Sequence, residues 1–91
     1  MLRTEPCALH TIVEEAVAEL HPQAAQKGLA LVVRAEAVPP VSGDPRRLHQ
    51  IVTNLVGNAL KYTEQGEVRV ELQETTEDGV RQVVLRVTDT G

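Results

Sequence analysis

Two asparagines, Asn54 and Asn58, lie four residues apart in the segment NLVGNALKYT, and Lys61 and Tyr62 follow within one more helical turn. Because residues i and i+4 are neighbours on a helix surface, a helix would place these side chains along one line. An asparagine carbonyl oxygen can bind a hard cation such as Mg2+, and its amide can donate to a phosphate oxygen. A lysine adds a positive charge for the same phosphates. The spacing therefore favours a site for a metal-bound polyphosphate.

These asparagines also have a plainer interpretation as solvated helix residues, which is common for an isolated pair at this spacing. Gly57 lies between them and costs about 1 kcal/mol relative to alanine in a helix interior. Such a glycine indicates either the close approach of another group or a tolerated substitution. The sequence favours the second explanation.

A second candidate is Asp89 in the terminal VTDTG, which follows Val83, Leu85 and Val87 at the same alternating parity. If the strand continues, this carboxylate faces the same side as the apolar residues, where an unpaired buried carboxylate is costly. A ligand that donates hydrogen bonds, such as the exocyclic amino group of adenine, would offset that cost. Gly91 would let the backbone lie close beside the ligand. The alternative is that the strand has ended and Asp89 begins a solvated Asx turn.

The first half of the chain is predicted to form a helix and then a strand. Apolar residues from Leu9 to Leu20 recur on one face of a helix. Pro22 should kink or end this helix, and any continuation should stop at Gly28. The period then becomes two: Leu29, Leu31, Val33 and Ala35 alternate with Arg34 and Glu36, which is typical of a strand with one face on a core.

The second half begins with a connection over residues 39–43 and a strong helix start, because Asp44 can cap free amides and Pro45 suits the first helical position. The predicted apolar stripe of this helix is Leu48, Ile51, Val52, Leu55, Ala59 and Leu60. Two alternating strands follow, around residues 68–73 and 83–87, joined by the polar turn TEDG. The pattern predicts an α+β fold, a two-layer α/β sandwich with the helices on one face of the sheet.

Composition narrows the possible partners and locations. The net charge of -4, with no basic block, argues against nucleic acid as a partner. Cys7 is the only cysteine, which excludes an internal disulfide. Nothing in the sequence is typical of a signal peptide or a membrane span, so we expect a cytoplasmic segment without membrane contact.

The stretch DPRRLHQIVTNLVGNALKYTEQGEVRV, followed further along by VTDTG, resembles the ATP-binding domain of sensor histidine kinases, in the GHKL ATPase superfamily. The preceding helix and the strand AAQKGLALVV match in order and spacing, so the resemblance covers nearly the whole chain. It implies that residues 1–91 are the amino-terminal portion of such a domain. The asparagine box would span residues 48–63 and the first glycine box would begin at residues 89–91. The implied fold has helices on one face of a mixed sheet, truncated after that box begins.

The resemblance also implies a role for each candidate residue. Asn58 would bind Mg2+, and Asn54 would hydrogen-bond phosphate, water or metal one turn away. Lys61 would approach the phosphates, and Tyr62 the ribose or adenine side of the pocket. Asp89 would accept a hydrogen bond from the adenine amino group. In the same family pattern Gly91 would be the first glycine of the glycine box, and so a sixth nucleotide-binding residue.

The implied cofactors are ATP and Mg2+, and the implied parent is a histidine protein kinase. It would transfer the ATP gamma phosphate to a histidine on a separate phosphoacceptor dimerisation helix, with a response regulator as an indirect partner. None of the three histidines, His10, His21 and His49, is followed by the acidic residue of the family's phosphoacceptor motif. We therefore expect the isolated chain to be inactive as a kinase. The alternative is a non-catalytic truncated module that acts through protein–protein association. The parent would lie in the cytoplasm, either alone or as the cytoplasmic part of a membrane-bound sensor.

Overall fold

The computed structural model describes residues 4–90, which form a mixed three-stranded sheet covered by two helices. The elements are β1 (Glu5–Cys7), α1 (Leu9–Lys27), β2 (Ala30–Ala35), β3 (Val41–Gly43), α2 (Pro45–Tyr62), β4 (Glu67–Glu77) and β5 (Val80–Asp89). Strand β4 is central, pairing parallel with β2 and antiparallel with β5. Helix α1 packs on β2, and α2 packs on β4 and β5. The predicted α+β architecture is confirmed.

The central strand supplies the core face of the sheet. Val68, Val70 and Leu72 of β4 are almost completely buried, as their alternation predicts. The strand register brings to the same face the partly buried residues Leu31, Val33, Ala35, Val83, Leu85 and Val87. Burial of each full valine or leucine side chain contributes roughly 1.5 to 3 kcal/mol. The sheet therefore holds the helices mainly through one apolar surface.

The core face of α2 is narrower than the predicted stripe. Val52, Val56 and Leu60, spaced four residues apart, are buried, whereas Ile51 is 48% and Leu55 46% exposed. The prediction that Ile51 and Leu55 face the core is wrong. Each precedes a buried residue by one position and so lies about 100° away around the helix. The predicted stripe also omitted Val56, which lies at its centre.

Helix α1 continues from Leu9 through Pro22 to Lys27, so Pro22 does not end it. Proline removes the amide that would bond the carbonyl of Ala18. Both residues are exposed, and water can therefore reach that carbonyl on the solvent face. Neither α1 nor α2 has an apolar stretch sufficient to cross a lipid bilayer.

The end of α1 follows the sequence prediction. Gly28 adopts a left-handed conformation with φ +69°. Its amide donates to the Ala25 carbonyl at 3.1 Å, and the amide of Leu29 donates to the Ala24 carbonyl at 2.9 Å. This pair of bonds is a Schellman motif, which satisfies carbonyls that the helix itself leaves free.

A two-stranded ribbon was not predicted. Strand β1 pairs antiparallel with β3, so the segment 39–43, predicted as a connection, contains a strand. Three residues are too few for an alternating pattern to be visible in a sequence. The thiol of Cys7 is buried against this ribbon, with Sγ 3.3 Å from the Gly43 carbonyl oxygen.

The hairpin between β4 and β5 confirms the predicted polar turn. Asp78 and Gly79 form a two-residue loop with φ of 52° and 77°, which is the pattern of a type I′ turn. The flanking residues Glu77 and Val80 are paired across the strands. The turn therefore fixes the register that carries β5 to Asp89.

Candidate functional site

Helix α2 carries most of the candidate residues, and a side-chain cap marks its start. The Asp44 carboxylate accepts a hydrogen bond from the Arg46 amide at 3.0 Å, and Pro45 is the first helical residue. A cap of this kind contributes about 1 kcal/mol. The buried line of this helix runs through Val52, and Asn54, two residues further along, falls on the exposed surface.

The predicted line of polar side chains is present on α2. Asn54, Asn58, Lys61 and Tyr62 are all exposed, Tyr62 to 75%. The Nζ atom of Lys61 lies 5.5 Å from the centre of the Tyr62 ring, within the range of a cation–π contact. The line therefore ends in a cation beside an aromatic face, both open to a ligand.

Gly57 shows no sign of a close approach. Among the described residues, a β-carbon added at Gly57 would meet no atom within 4 Å apart from its chain neighbours and the backbone of its own helix. The interpretation of this glycine as a tolerated substitution is supported, since the helix surface between the two asparagines is open.

An open depression of about 630 Å³ lies at the carboxyl end of α2. Its lining consists of Tyr62, Glu64, Gln65, Gly66 and Thr90. The volume lies within the usual range of about 300 to 1,000 Å³ for ligand pockets. The fold thus joins Tyr62 to the end of β5, as the candidate site requires. Asn54, Asn58 and Lys61 lie outside this lining.

Strand β5 extends through Asp89, which pairs with Val68 of β4. The alternative in which the strand ends earlier and Asp89 starts a turn is therefore wrong. Its side chain shares the core-facing side with Val68 but is exposed at the end of the strand. Burial of the carboxylate, which would have demanded a ligand, is thus not observed. Gly91, the remaining candidate, lies outside the described residues.

Thr90 fixes the edge of the depression and was not singled out from the sequence. Its amide donates to the Glu67 carbonyl at 3.1 Å, and its Oγ1 accepts from the Glu67 amide at 3.0 Å. These bonds continue the β4–β5 ladder one residue beyond Asp89. The signal that could have identified Thr90 is its position between two predicted site residues.

The loop after α2 was also missed. Thr63 is extended, with φ −93° and ψ 125°, and its amide donates to the Ala59 carbonyl at 3.0 Å. The side chain is only 2% exposed, and its Oγ1 has no hydrogen-bond partner among residues 4–90. The loop beside the depression therefore contains an unpaired polar atom.

Lys27, at the end of α1, reaches the carboxyl end of α2. Its Nζ donates to the carbonyl oxygens of Leu60 at 2.7 Å and Lys61 at 2.9 Å. A cation at this end of a helix is favoured by the helix dipole. No sequence pattern within α2 predicts this contact.

A metal at this site would need oxygen ligands from outside the protein. Across residues 4–90, no group of three or more His, Cys, Asp or Glu side chains is placed to hold a metal ion. Mg2+ is commonly bound by one or two protein oxygens together with substrate phosphates and water. The exposed amides of Asn54 and Asn58 fit that pattern, whereas a metal held by the protein alone does not.

Comparison with known proteins decides the family. The model of a family described as histidine kinase-, DNA gyrase B- and HSP90-like ATPase matches residues 43–91. The chain belongs to this ATPase family. The match includes both asparagines and the end of β5. Together with the relatives described next, this match confirms the resemblance to the ATP-binding domain of sensor histidine kinases.

Relatives of this ATPase-family chain are sensor kinases. It is 36% identical over 94 residues to the signal transduction histidine-protein kinase BarA of Escherichia coli strain K12, covering 100% of the chain and 10% of BarA. It is 40% identical over 95 residues to the sensor histidine kinase GacS of Pseudomonas protegens, again covering 100% of the chain and 10% of the relative. The chain thus spans about a tenth of the length of these relatives.

A solved structure shares both fold and sequence with the chain. Full-length ShkA in complex with AMPPNP matches with a TM-score of 0.83 and 32% identity. The match covers 100% of this chain and 19% of ShkA. The fold is shared also with the Acinetobacter baumannii histidine kinase AdeS, which matches with a TM-score of 0.80 at 22% identity and covers 100% of this chain and 44% of AdeS.

Proposed function

We propose that this segment binds Mg-ATP, with the adenine towards Asp89 and the phosphates along α2. The observation that carries the proposal is the family match, which spans both the asparagine pair of α2 and the end of β5. The depression between Tyr62 and Thr90 supports it, because it offers a volume suited to a small ligand beside both elements. The AMPPNP in the ShkA complex is a further support.

Each candidate residue then has a chemical role. Asn58 supplies an amide oxygen to Mg2+, and Asn54 donates to phosphate or bonds to water or metal. Lys61 places a positive charge near the phosphates, and Tyr62 offers its exposed ring to the ribose or adenine. Asp89 accepts from the adenine amino group. Bound Mg2+ neutralises phosphate charge.

Gly91 completes the proposed nucleotide-binding set. By the family resemblance it would be the first glycine of the glycine box at residues 89–91, where a backbone without a β-carbon permits close approach to the base.

The parent protein is inferred to be a two-component sensor kinase. This segment would present the ATP gamma phosphate to a histidine on a separate phosphoacceptor dimerisation helix, and a response regulator would act downstream. Phosphoryl transfer of this kind depends mainly on positioning and electrostatic stabilisation. Two of the chain's own histidines have structural contacts instead. His10 Nδ1 lies 3.1 Å from Glu14, and His49 Nε2 lies 2.9 Å from Glu19.

Calorimetric titration of the 91-residue chain with AMPPNP, with and without Mg2+, tests the proposal. Asn58→Ala should weaken Mg-AMPPNP binding about tenfold and metal-free binding much less, because it removes one ligand of the cation. Asp89→Asn should reduce the preference for adenine over guanine nucleotides. Gln82→Ala is the control, since it removes an exposed carboxamide from the opposite face of the sheet.

Two results would contradict the assignment. Equal losses for Asn58→Ala with and without Mg2+ would exclude a metal ligand at that residue. Absence of binding by the unaltered chain would remove the nucleotide site altogether and favour the association module as its function.

A further inference from the structure

The carboxyl end of α2 lacks the left-handed capping residue that ends many helices. The last four carbonyls of any α-helix have no intrahelical donor. A glycine in the left-handed conformation commonly supplies the missing bonds, but Thr63 follows α2 in an extended conformation. Its amide satisfies only the Ala59 carbonyl. The carbonyls of Leu60 and Lys61 therefore need donors from elsewhere.

Lys27 supplies both donors. Its ammonium group lies 2.7 Å from the Leu60 oxygen and 2.9 Å from the Lys61 oxygen. A charged donor makes stronger hydrogen bonds than a neutral one, and its charge opposes the negative end of the helix dipole. One side chain thus performs the function that a capping glycine performs at the end of α1.

A second contact from the same segment holds the loop that follows. The amide of Ala30 donates to the carbonyl of Gly66 at 3.2 Å. Gly66 lines the depression, as does Tyr62 at the helix end. Lys27 therefore holds the two residues just before the stretch from Tyr62 to Gly66, and Ala30 holds its last residue. This stretch forms most of the wall of the depression.

We propose that Lys27 is a positioning residue of the nucleotide site. It fixes the last turn of α2, and with it Lys61 and Tyr62, without contacting the nucleotide itself. The inference rests on the proposed function, because it assigns Lys27 to the same site. Loss of the ammonium group frees two carbonyls, and the last turn then samples several positions. The fold persists, since Leu60 remains buried and Lys27 itself is exposed.

Three variants test this role by calorimetric titration with Mg-AMPPNP. Lys27→Met keeps the aliphatic stem and removes the charged donor, and the dissociation constant should rise about fivefold. Lys27→Arg restores a charged donor, and its dissociation constant should return to within about twofold of the original. Arg34→Met removes one positive charge from the opposite face of the sheet and should leave binding unchanged.

Amide NMR of the nucleotide-free chain reports directly on the last turn of α2. A change in net charge alone would not produce a local change there. Lys27→Met should shift the signals of residues 60–63 and speed their hydrogen exchange, while residues 45–56 keep their signals. If Lys27→Met does not fold, Lys27→Gln, which also lacks the charge, allows the same comparison between residues 60–63 and residues 45–56.

The outcomes separate the two proposals. Binding by the unaltered chain together with unchanged binding by Lys27→Met, or no recovery in Lys27→Arg, would overturn the role of Lys27 alone. Absence of binding by the unaltered chain would overturn the proposed function, and the nucleotide role of Lys27 with it.

Discussion

The two helices of this domain end in different ways. Helix α1 ends at Gly28, whose left-handed backbone and neighbouring amide satisfy carbonyls of the same helix. Helix α2 ends at Tyr62, and the donor for its Leu60 and Lys61 carbonyls is Lys27, 33 residues before Leu60. The first end is stabilised by the backbone amides of two consecutive residues, whereas the second depends on the packing of α1 against α2. The candidate site lies at the end that depends on tertiary structure.

The largest expected effect comes from removing the apolar anchor of the α2 end. Leu60 is fully buried, and Leu60→Ala should lower the free energy of unfolding by about 3 kcal/mol, through lost burial and the cavity that remains. Leu55→Ala is the matched control, because Leu55 is 46% exposed on the same helix, and its loss should be below about 1 kcal/mol. Urea unfolding followed by circular dichroism measures both. Similar losses would mean that the α2 end is not anchored by its core contacts.

A smaller change in the free energy of unfolding is expected at the end of α1, where the effect comes from backbone conformation alone. Gly28→Ala should cost about 1 to 2 kcal/mol, because φ is +69° and the left-handed conformation is unfavourable for alanine. Gly57→Ala, inside α2, should instead stabilise the protein by up to about 1 kcal/mol. Beyond the local chain, a β-carbon at either position meets no atom of the described residues within 4 Å. Comparing the two variants therefore separates the effect of backbone conformation on stability from the effect of packing. The same sign for both variants in thermal unfolding would refute the local explanation of the α1 end.

The smallest expected effect concerns the hydroxyl of Thr63, just after α2. Its Oγ1 is buried without a partner among the described residues, and valine has nearly the same shape. Thr63→Val should therefore raise the free energy of unfolding by about 0.5 to 1 kcal/mol. Thr11→Val, at an exposed position of α1, is the control and should change it by less than about 0.5 kcal/mol. A loss of stability in Thr63→Val would show that the hydroxyl has a favourable interaction.

The parts of the fold that were predictable from sequence are those set by neighbouring residues. Asp44 with Pro45 fixed the start of α2, and Gly28 the end of α1. The β1–β3 ribbon was not predictable, because each strand has three residues and its partner lies far along the chain. The exposure of Ile51 was mispredicted, because an apolar stripe in a sequence does not show how much of the helix surface the rest of the core covers.

The candidate site likewise has a part that was predictable from neighbouring residues and a part that depends on tertiary structure. The spacing of Asn54 and Asn58 was enough to place both on one exposed line of α2. The role of Thr90 in the depression depends on how β4 and β5 meet beside the helix, which no local pattern records. The lysine contact at the α2 end was missed for the same physical reason, because it joins two helices rather than two neighbours in sequence.

The mixed pairing of the sheet has a consequence for the order of folding. Strands β4 and β5 are joined by a two-residue turn, and hairpins of this kind form in about 1 to 10 μs. Strands β2 and β4 are parallel, so their pairing must wait until the chain has closed a loop that contains all of α2. The depression lies where that loop closes, since the Ala30 amide bonds Gly66 at the start of the parallel pair. We therefore expect the depression to form late in folding, after the secondary structures that line it.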